Sequence, residues 1–222
     1  MRSTARLAAL LCASTLIFTA APALSEDLQF SVYGGYQTAP HSGVTTSDGT
    51  HFTAGWEGKS FASPPYYGGR ATWWLQSLGE PDLGLSIDFS HAKVYAGGDT
   101  FAKTPGWTHF EFTDGLNLLT VNALYRFTEP GRAWTPYVGL GAGINIPHVE
   151  VTRPSGRTFG YQVGGATLQA QAGVSYAITD NWSVFTEYKG NYSWVNVDID
   201  SGAKLKTNVL TNAVNVGVSY HF

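Results

Sequence analysis

The chain has 222 residues, with 13 lysines and arginines against 16 aspartates and glutamates, a formal net charge of −3 and one cysteine. This modest acidic balance argues against a nucleic-acid partner, and a lone thiol excludes a disulfide framework or a zinc-thiolate cluster. Gly 26, Tyr 12, Phe 12 and Trp 7 against a single Met favour strands and turns over helices.

Arg2 and Arg6 precede an apolar run from Leu7 to Ala21, and small residues follow at Ala23 and Ser25, the layout of a cleaved secretory signal. Cleavage after Ala23 and cleavage after Ser25 both fit; residues 1–25 are taken as signal peptide and 26–222 as one domain. The run is shorter than the roughly 20 residues of a spanning helix. Cys12 lies within it behind Leu11, where a lipoprotein signal wants a small residue, so no lipid anchor is expected. No later stretch approaches the roughly 18 unbroken apolar residues of a membrane helix. An exported chain of this kind is a soluble periplasmic or secreted fold, or a barrel in the outer membrane.

Leu28 to Gln37 alternates, with Leu28, Phe30, Val32 and Tyr36 on one side and Gln29, Ser31, Tyr33 and Gln37 on the other. A polar segment, Thr38 to about Pro65, contains a weak alternation over His51 to Phe61. Counting that as a spanning strand gives nine and separates the termini, whereas an extended hairpin inside a first outer loop leaves eight, the even number of bacterial barrels. Tyr66 to Gln76 places Ala71, Trp73 and Leu75 opposite Arg70, Thr72 and Trp74. After the turn Ser77 to Asp82, Leu83 to Ala96 sets Leu85, Ile87 and Phe89 against Ser86, Asp88 and Ser90. A long connection leads to Phe110 to Phe127, whose apolar set is Leu119, Val121, Ala123, Tyr125 and Phe127. The turn Thr128 to Ala133 opens Trp134 to Val151, where Gly139, Gly141 and Gly143 alternate with Val138, Leu140, Ala142 and Ile144. Glycines at successive inward positions are expected to leave room for large side chains from across a narrow bore. Thr152 to Gly164 is read as a loop, followed by a strand Gly165 to Ile178, the turn Thr179 to Asn181, and a strand Trp182 to Ile199. After Asp200 to Asn208 the last strand, Val209 to Phe222, carries Val214, Val216, Val218, Tyr220 and Phe222 on one parity.

Connections alternate long and short, which fits short periplasmic turns and larger outer loops. Alternation alone also suits a soluble sandwich. Aromatic positions separate the two: Trp73, Trp74, Tyr125, Phe127, Trp134, Tyr176, Trp182 and Phe222 fall beside short turns or the C-terminus. Tyr36, Tyr66, Tyr67, Phe89, Tyr95, Phe110, Tyr188 and Tyr192 fall towards the outer ends, giving the two girdles of a membrane barrel. The expected fold is all-β, an eight-stranded antiparallel transmembrane up-and-down β-barrel placed in the Gram-negative outer membrane.

Eight strands leave a bore that side chains fill. Its inward polar set, Arg70, Asp88, Asn122, Arg126, Gln169, Gln171, Glu187, Lys189 and Asn215, has charges of both signs and is expected to pair internally. His41, His51, His91, His109 and His148 map to the outer side with Glu57, Asp99, Glu111, Asp114 and Glu150, and only His221 lies at the periplasmic end. Two imidazoles with a carboxylate suit an iron-type centre that handles oxygen. His148 and Glu150, two apart on a strand, point the same way, with His91 and Glu111 at neighbouring strand ends. These four are the candidate catalytic residues, and a divalent or iron-type metal ion is a candidate cofactor. A serine hydrolase is disfavoured, since no G-x-S-x-G elbow occurs, and the alternating glycines lack the strand-to-helix context of a phosphate loop.

The segments GGYQTAPHS (Gly34 to Ser42), FTAGWEGKSF (Phe52 to Phe61), PPYYGGRATWW (Pro64 to Trp74), HAKVYA (His91 to Ala96), EFTDGLNLLTVNA (Glu111 to Ala123) and TPYVGLGAGINIPHVEV (Thr135 to Val151) resemble the small outer-membrane barrels called lipid A oxidases. FTAGWEGKSF and EFTDGLN are the telling ones, since barrel physics does not demand them. The resemblance implies an enzyme that uses O2 to convert the proximal glucosamine of lipid A to an aminogluconate unit, releasing peroxide. It makes lipid A or lipopolysaccharide the partner, with outer-membrane lipids around the wall. The terminal Phe222 is similar to the signal read by the barrel assembly machinery. The competing expectation is a non-enzymatic barrel that serves as a structural, adhesive or host-interacting protein.

Overall fold

The computed structural model describes residues 28–102, 104 and 106–222. The predicted leader lies outside the described residues. Eight strands close a ring: β1 (Leu28–Thr38), β5 (Tyr67–Leu75), β6 (Glu80–Ala96), β7 (His109–Arg126), β8 (Trp134–Arg153), β10 (Gly165–Ala177), β11 (Trp182–Asp198) and β12 (Lys204–His221). Each pairs antiparallel with its neighbours, and β1 pairs with β12, Val32 opposite Val218, so no open edge remains in the ring. The fold is the expected up-and-down barrel.

Period-two alternation decides which side chains meet lipid. Phe30, Val32, Leu85, Ile87, Val121, Leu140, Leu168, Val214 and Val216 are exposed on the outer wall, while Ser31, Thr72, Ser86, Asn122 and Asn215 are buried inside. Spanning the hydrocarbon takes about 9–11 residues of tilted strand. β5, with 9 residues, is just long enough, whereas β8 has 20 and β7 and β12 have 18 each. Their surplus extends beyond the bilayer on the outer side.

The His51–Phe61 region is extra-membranous, as expected. Strands β2 (Ser42–Thr46) and β3 (His51–Ala54) form a hairpin added to the upper end of β12, and the short β4 (Trp56–Glu57) pairs with β6. Two loop expectations need correction. Part of the Thr152–Gly164 segment is strand β9 (Gly156–Tyr161), which hairpins onto β8, and β12 begins at Lys204 rather than Val209 because Lys204–Asn208 continues the ladder to β11.

Inside, the barrel has two zones. At membrane depth the charges pair as expected: Arg70 donates to Asp88 at 2.8 Å and to Glu187 at 2.6 Å, and Lys189 donates to Asp88 at 2.7 Å and to Tyr33 at 2.6 Å. Tyr33 and Tyr137 donate to Asp88 and Glu187 in turn. Two cations balance two carboxylates, which offsets the cost of taking them from water. The inward glycines admit neighbours on adjacent strands rather than groups from across the bore. A Cβ at Gly141 would lie 2.0 Å from Asn122 Oδ1 of β7.

Above the membrane the interior becomes apolar. Trp56, Trp107, Phe110, Phe112, Val149, Val151, Val197 and Leu205 pack into one core that caps the bore. Tyr66 and Phe110, expected in the outer girdle, are therefore buried, whereas Trp74 of the inner set is buried on the inward parity it shares with Arg70 and Thr72, its indole donating to Gln29. Position along a strand identified their height but not the side they face.

Candidate functional site

The candidate residues sit on the outer face of the wall just above the acyl-facing belt. His91 lies two residues above Phe89 on β6, and Ile146 two above Ile144 on β8, on the outward parity. An irregularity in β7 shapes the place. Leu116 pairs with Pro147 and Phe112 with Val149, so four residues of β7 step across what β8 covers in two. Thr113-Asp114-Gly115, three residues against the single His148 of β8, bulges outward, and Gly115 takes a φ of 91° that favours glycine. Lys93 of β6 sits at a matching irregularity.

The bulge delivers Asp114 between two histidines contributed by the neighbouring strands. His148 Nδ1 is 3.9 Å from Asp114 Oδ2, and the His148 ring meets the edges of Phe159 and Tyr161 with centroids 4.5 and 4.6 Å away. His91 stacks on Tyr67 at 5.1 Å. Asn117 fixes its tautomer. The Asn117 amide nitrogen donates to the Asp114 and Ile146 carbonyls, so its oxygen must accept, and His91 Nδ1–H donates to it at 2.9 Å. His91 Nε2 is left with its lone pair, enclosed and without a hydrogen-bond partner; His148 Nδ1 is likewise unpartnered. Both histidines are buried, 4% and 3% exposed. Beside them the wall opens as a depression of about 510 Å³ lined by Pro64, Tyr67, Phe89, His91, Asp114, Asn117, Ile146 and Tyr161. Such an arrangement can hold a polar headgroup against an imidazole base while acyl chains lie along the belt below.

Of the four sequence candidates, His91 lines this depression, and His148 is packed next to it against Asp114, Phe159 and Tyr161. Glu111 and Glu150 do not: they face each other across the β7–β8 pair, with His109 beside them. Asp114 stood only among the rim carboxylates, and Asn117 and Tyr161 were not singled out. The available signal was Asp114-Gly115 inside an otherwise regular strand, a dipeptide that marks a bulge.

A closed eight-stranded ring with an acyl-facing outside and a paired polar inside defines an outer-membrane β-barrel protein. Residues 9–222 match the outer membrane protein beta-barrel domain family, and the chain belongs to that family. Among curated protein sequences none matches. Similar solved structures include Neisserial surface protein A, at 21% identity over 88% of this chain and 96% of that one, with a TM-score of 0.46. The N-terminal β-barrel domain of Pseudomonas aeruginosa OprF is 16% identical over 89% of this chain and 98% of its own, TM-score 0.47. OprG of the same organism is 12% identical over 88% and 94%, TM-score 0.45. At these identities none of them says what this chain does.

Proposed function

We propose that the protein is an outer-membrane lipid A oxidase that works from its outer wall, with the sugar of an outer-leaflet lipid A seated in the depression lined by His91 and Asp114. The observation that carries this reading is the buried His91, which lines a depression at the top of the lipid belt while its enclosed Nε2 has no hydrogen-bond partner. A barrel wall has no structural need for an enclosed, unpartnered imidazole there. The sequence resemblance supplies the chemistry. The anomeric C1–H and O1–H bonds of the proximal glucosamine break and C1=O forms, giving a lactone that water opens to the aminogluconate. O2 takes the two electrons and two protons and leaves as H2O2. His91 lines the depression and is the imidazole that would accept the O1 proton once the sugar is seated, with Asp114 beside it and Asp114 Oδ2 3.9 Å from His148 Nδ1. A strain carrying the gene, grown in air, is expected to yield lipid A heavier by one oxygen than the strain without it. Unchanged lipid A with the barrel expressed would refute the enzyme.

A second reading has its own support. Phe159, Tyr161 and Val163 are exposed on and beside the outer β9 hairpin, an apolar surface suited to adhesion or contact with a host protein. Unchanged lipid A together with loss of surface attachment on replacing these three would favour it.

A further inference from the structure

One step above the depression, on the same outward face, His109, Glu111 and Glu150 converge, and we propose that they bind a divalent first-row transition-metal ion. Glu111 and Glu150 are directly opposite on antiparallel strands, a placement in which like charges repel. His109 Nε2 lies 3.3 Å from Glu111 Oε1 and 3.6 Å from Glu150 Oε2, and one donor atom from each residue falls within 4.8 Å of the others. Donors bound to a tetrahedral ion at about 2.0–2.1 Å stand about 3.3–3.4 Å apart, so the nitrogen already sits at coordination spacing from both carboxylates. Neither approach is a hydrogen bond: His109 Nε2 is screened from solvent and has no hydrogen-bond partner. Arg157 donates to Glu150 Oε1 at 2.6 Å, which holds that carboxylate in place and leaves Oε2 turned to the imidazole.

One imidazole with two carboxylate oxygens favours zinc, cobalt or iron(II) over magnesium or calcium, which prefer all-oxygen shells. Lys93, on the same face, keeps its ammonium over the Tyr95 ring at 4.9 Å. Metal binding here is independent of the oxidase reading, since it is measured on the barrel itself.

The test uses the untagged barrel, freed of metal with chelator and held in detergent, titrated with Co2+ and followed by its visible absorption. The expected result is a band that saturates at one ion per chain, is displaced by Zn2+, and is lost in His109→Ala and in the Glu111→Gln/Glu150→Gln double variant. Both variants should retain the heat-modifiable gel mobility of a folded barrel, and His51→Ala should bind as the parent does. No saturable band in the parent, or an unchanged band in folded His109→Ala, would overturn the proposal. If the double variant fails to fold, His109→Ala alone decides, because its side chain is 40% exposed and carries no packing load.

Discussion

Replacing Gly115 by alanine should disable the wall site without dismantling the barrel. A Cβ at that position falls 2.4 Å from His91 Nδ1 and 2.5 Å from Cε1, where ordinary contact begins at 3.4 Å, so the ring must retreat by about 1 Å. It cannot do so freely, because Tyr67 stacks on one face and Asn117 holds Nδ1. The left-handed backbone adds strain of about 1–2 kcal/mol, small beside the stability of a closed eight-strand ring. A displacement near 1 Å of a reacting group lowers turnover by about 100-fold. The assay is the ratio of oxidised to unmodified lipid A from cells making equal amounts of folded barrel. A second readout is the His91 nitrogen spectrum in labelled protein, where the Nδ1–H tautomer should no longer dominate. Full oxidation with an unaltered His91 signal in folded Gly115→Ala would refute the claim that the bulge positions this histidine.

His148→Ala should abolish oxidation while the chain still runs as a heat-modifiable barrel, and retained activity would remove His148 from the mechanism. Within the bore, Arg70→Met leaves Asp88 and Glu187 with Lys189 alone, a loss of about 3–5 kcal/mol in urea unfolding; adding Glu187→Gln should recover most of it by restoring the charge balance. An Arg70→Met barrel as stable as the parent would contradict the paired network. In the outer cap, Arg153 pairs with Asp48 and Asp200. Hydrogen bonds from Thr46 and Arg153 lower Asp48 to about 2, and in Asp200 burial, which raises the carboxyl, is outweighed by the hydrogen bonds from Arg153 and its serine neighbours together with the Arg153 charge, so it is also lowered. Both are depressed carboxylates, so their contribution is complete above the unfolded value of about 3.9 and is lost as pH falls towards 2. Pepsin should therefore nick the β2–β3 hairpin at a rate that converges on that of Arg153→Gln as pH drops from about 4 to about 2. A constant ratio of the two rates would sink this clamp.

The membrane-depth fold was legible because a period of two forces a choice of face at every residue, and lipid punishes a wrong choice. The inward set around Arg70, Asp88, Glu187 and Lys189 followed from that alone. Above the membrane both sides of the wall meet either water or the cap, so the rule no longer sorts aromatics, and Phe110 and Tyr66 turned inward against expectation. The site was half legible. Chemistry picked out His91 and His148, and the structure sets Asp114 rather than Glu111 or Glu150 beside them, brought there by two surplus residues in β7 that shift what lies opposite them. Spacing along single strands could not reveal that shift; the Asp114-Gly115 dipeptide could have. It also gives a structural reason for the EFTDGLN wording, which a plain barrel strand has no use for.

The central claim is that this barrel carries an oxidising site for lipid A on its outer wall. The most direct test incubates purified, folded protein with lipid A in detergent under air and records the lipid mass spectrum. The account predicts a species heavier by one oxygen, formed with peroxide, absent under argon and absent with His91→Ala. Lipid A of unaltered mass in the presence of folded parent protein and oxygen would contradict it.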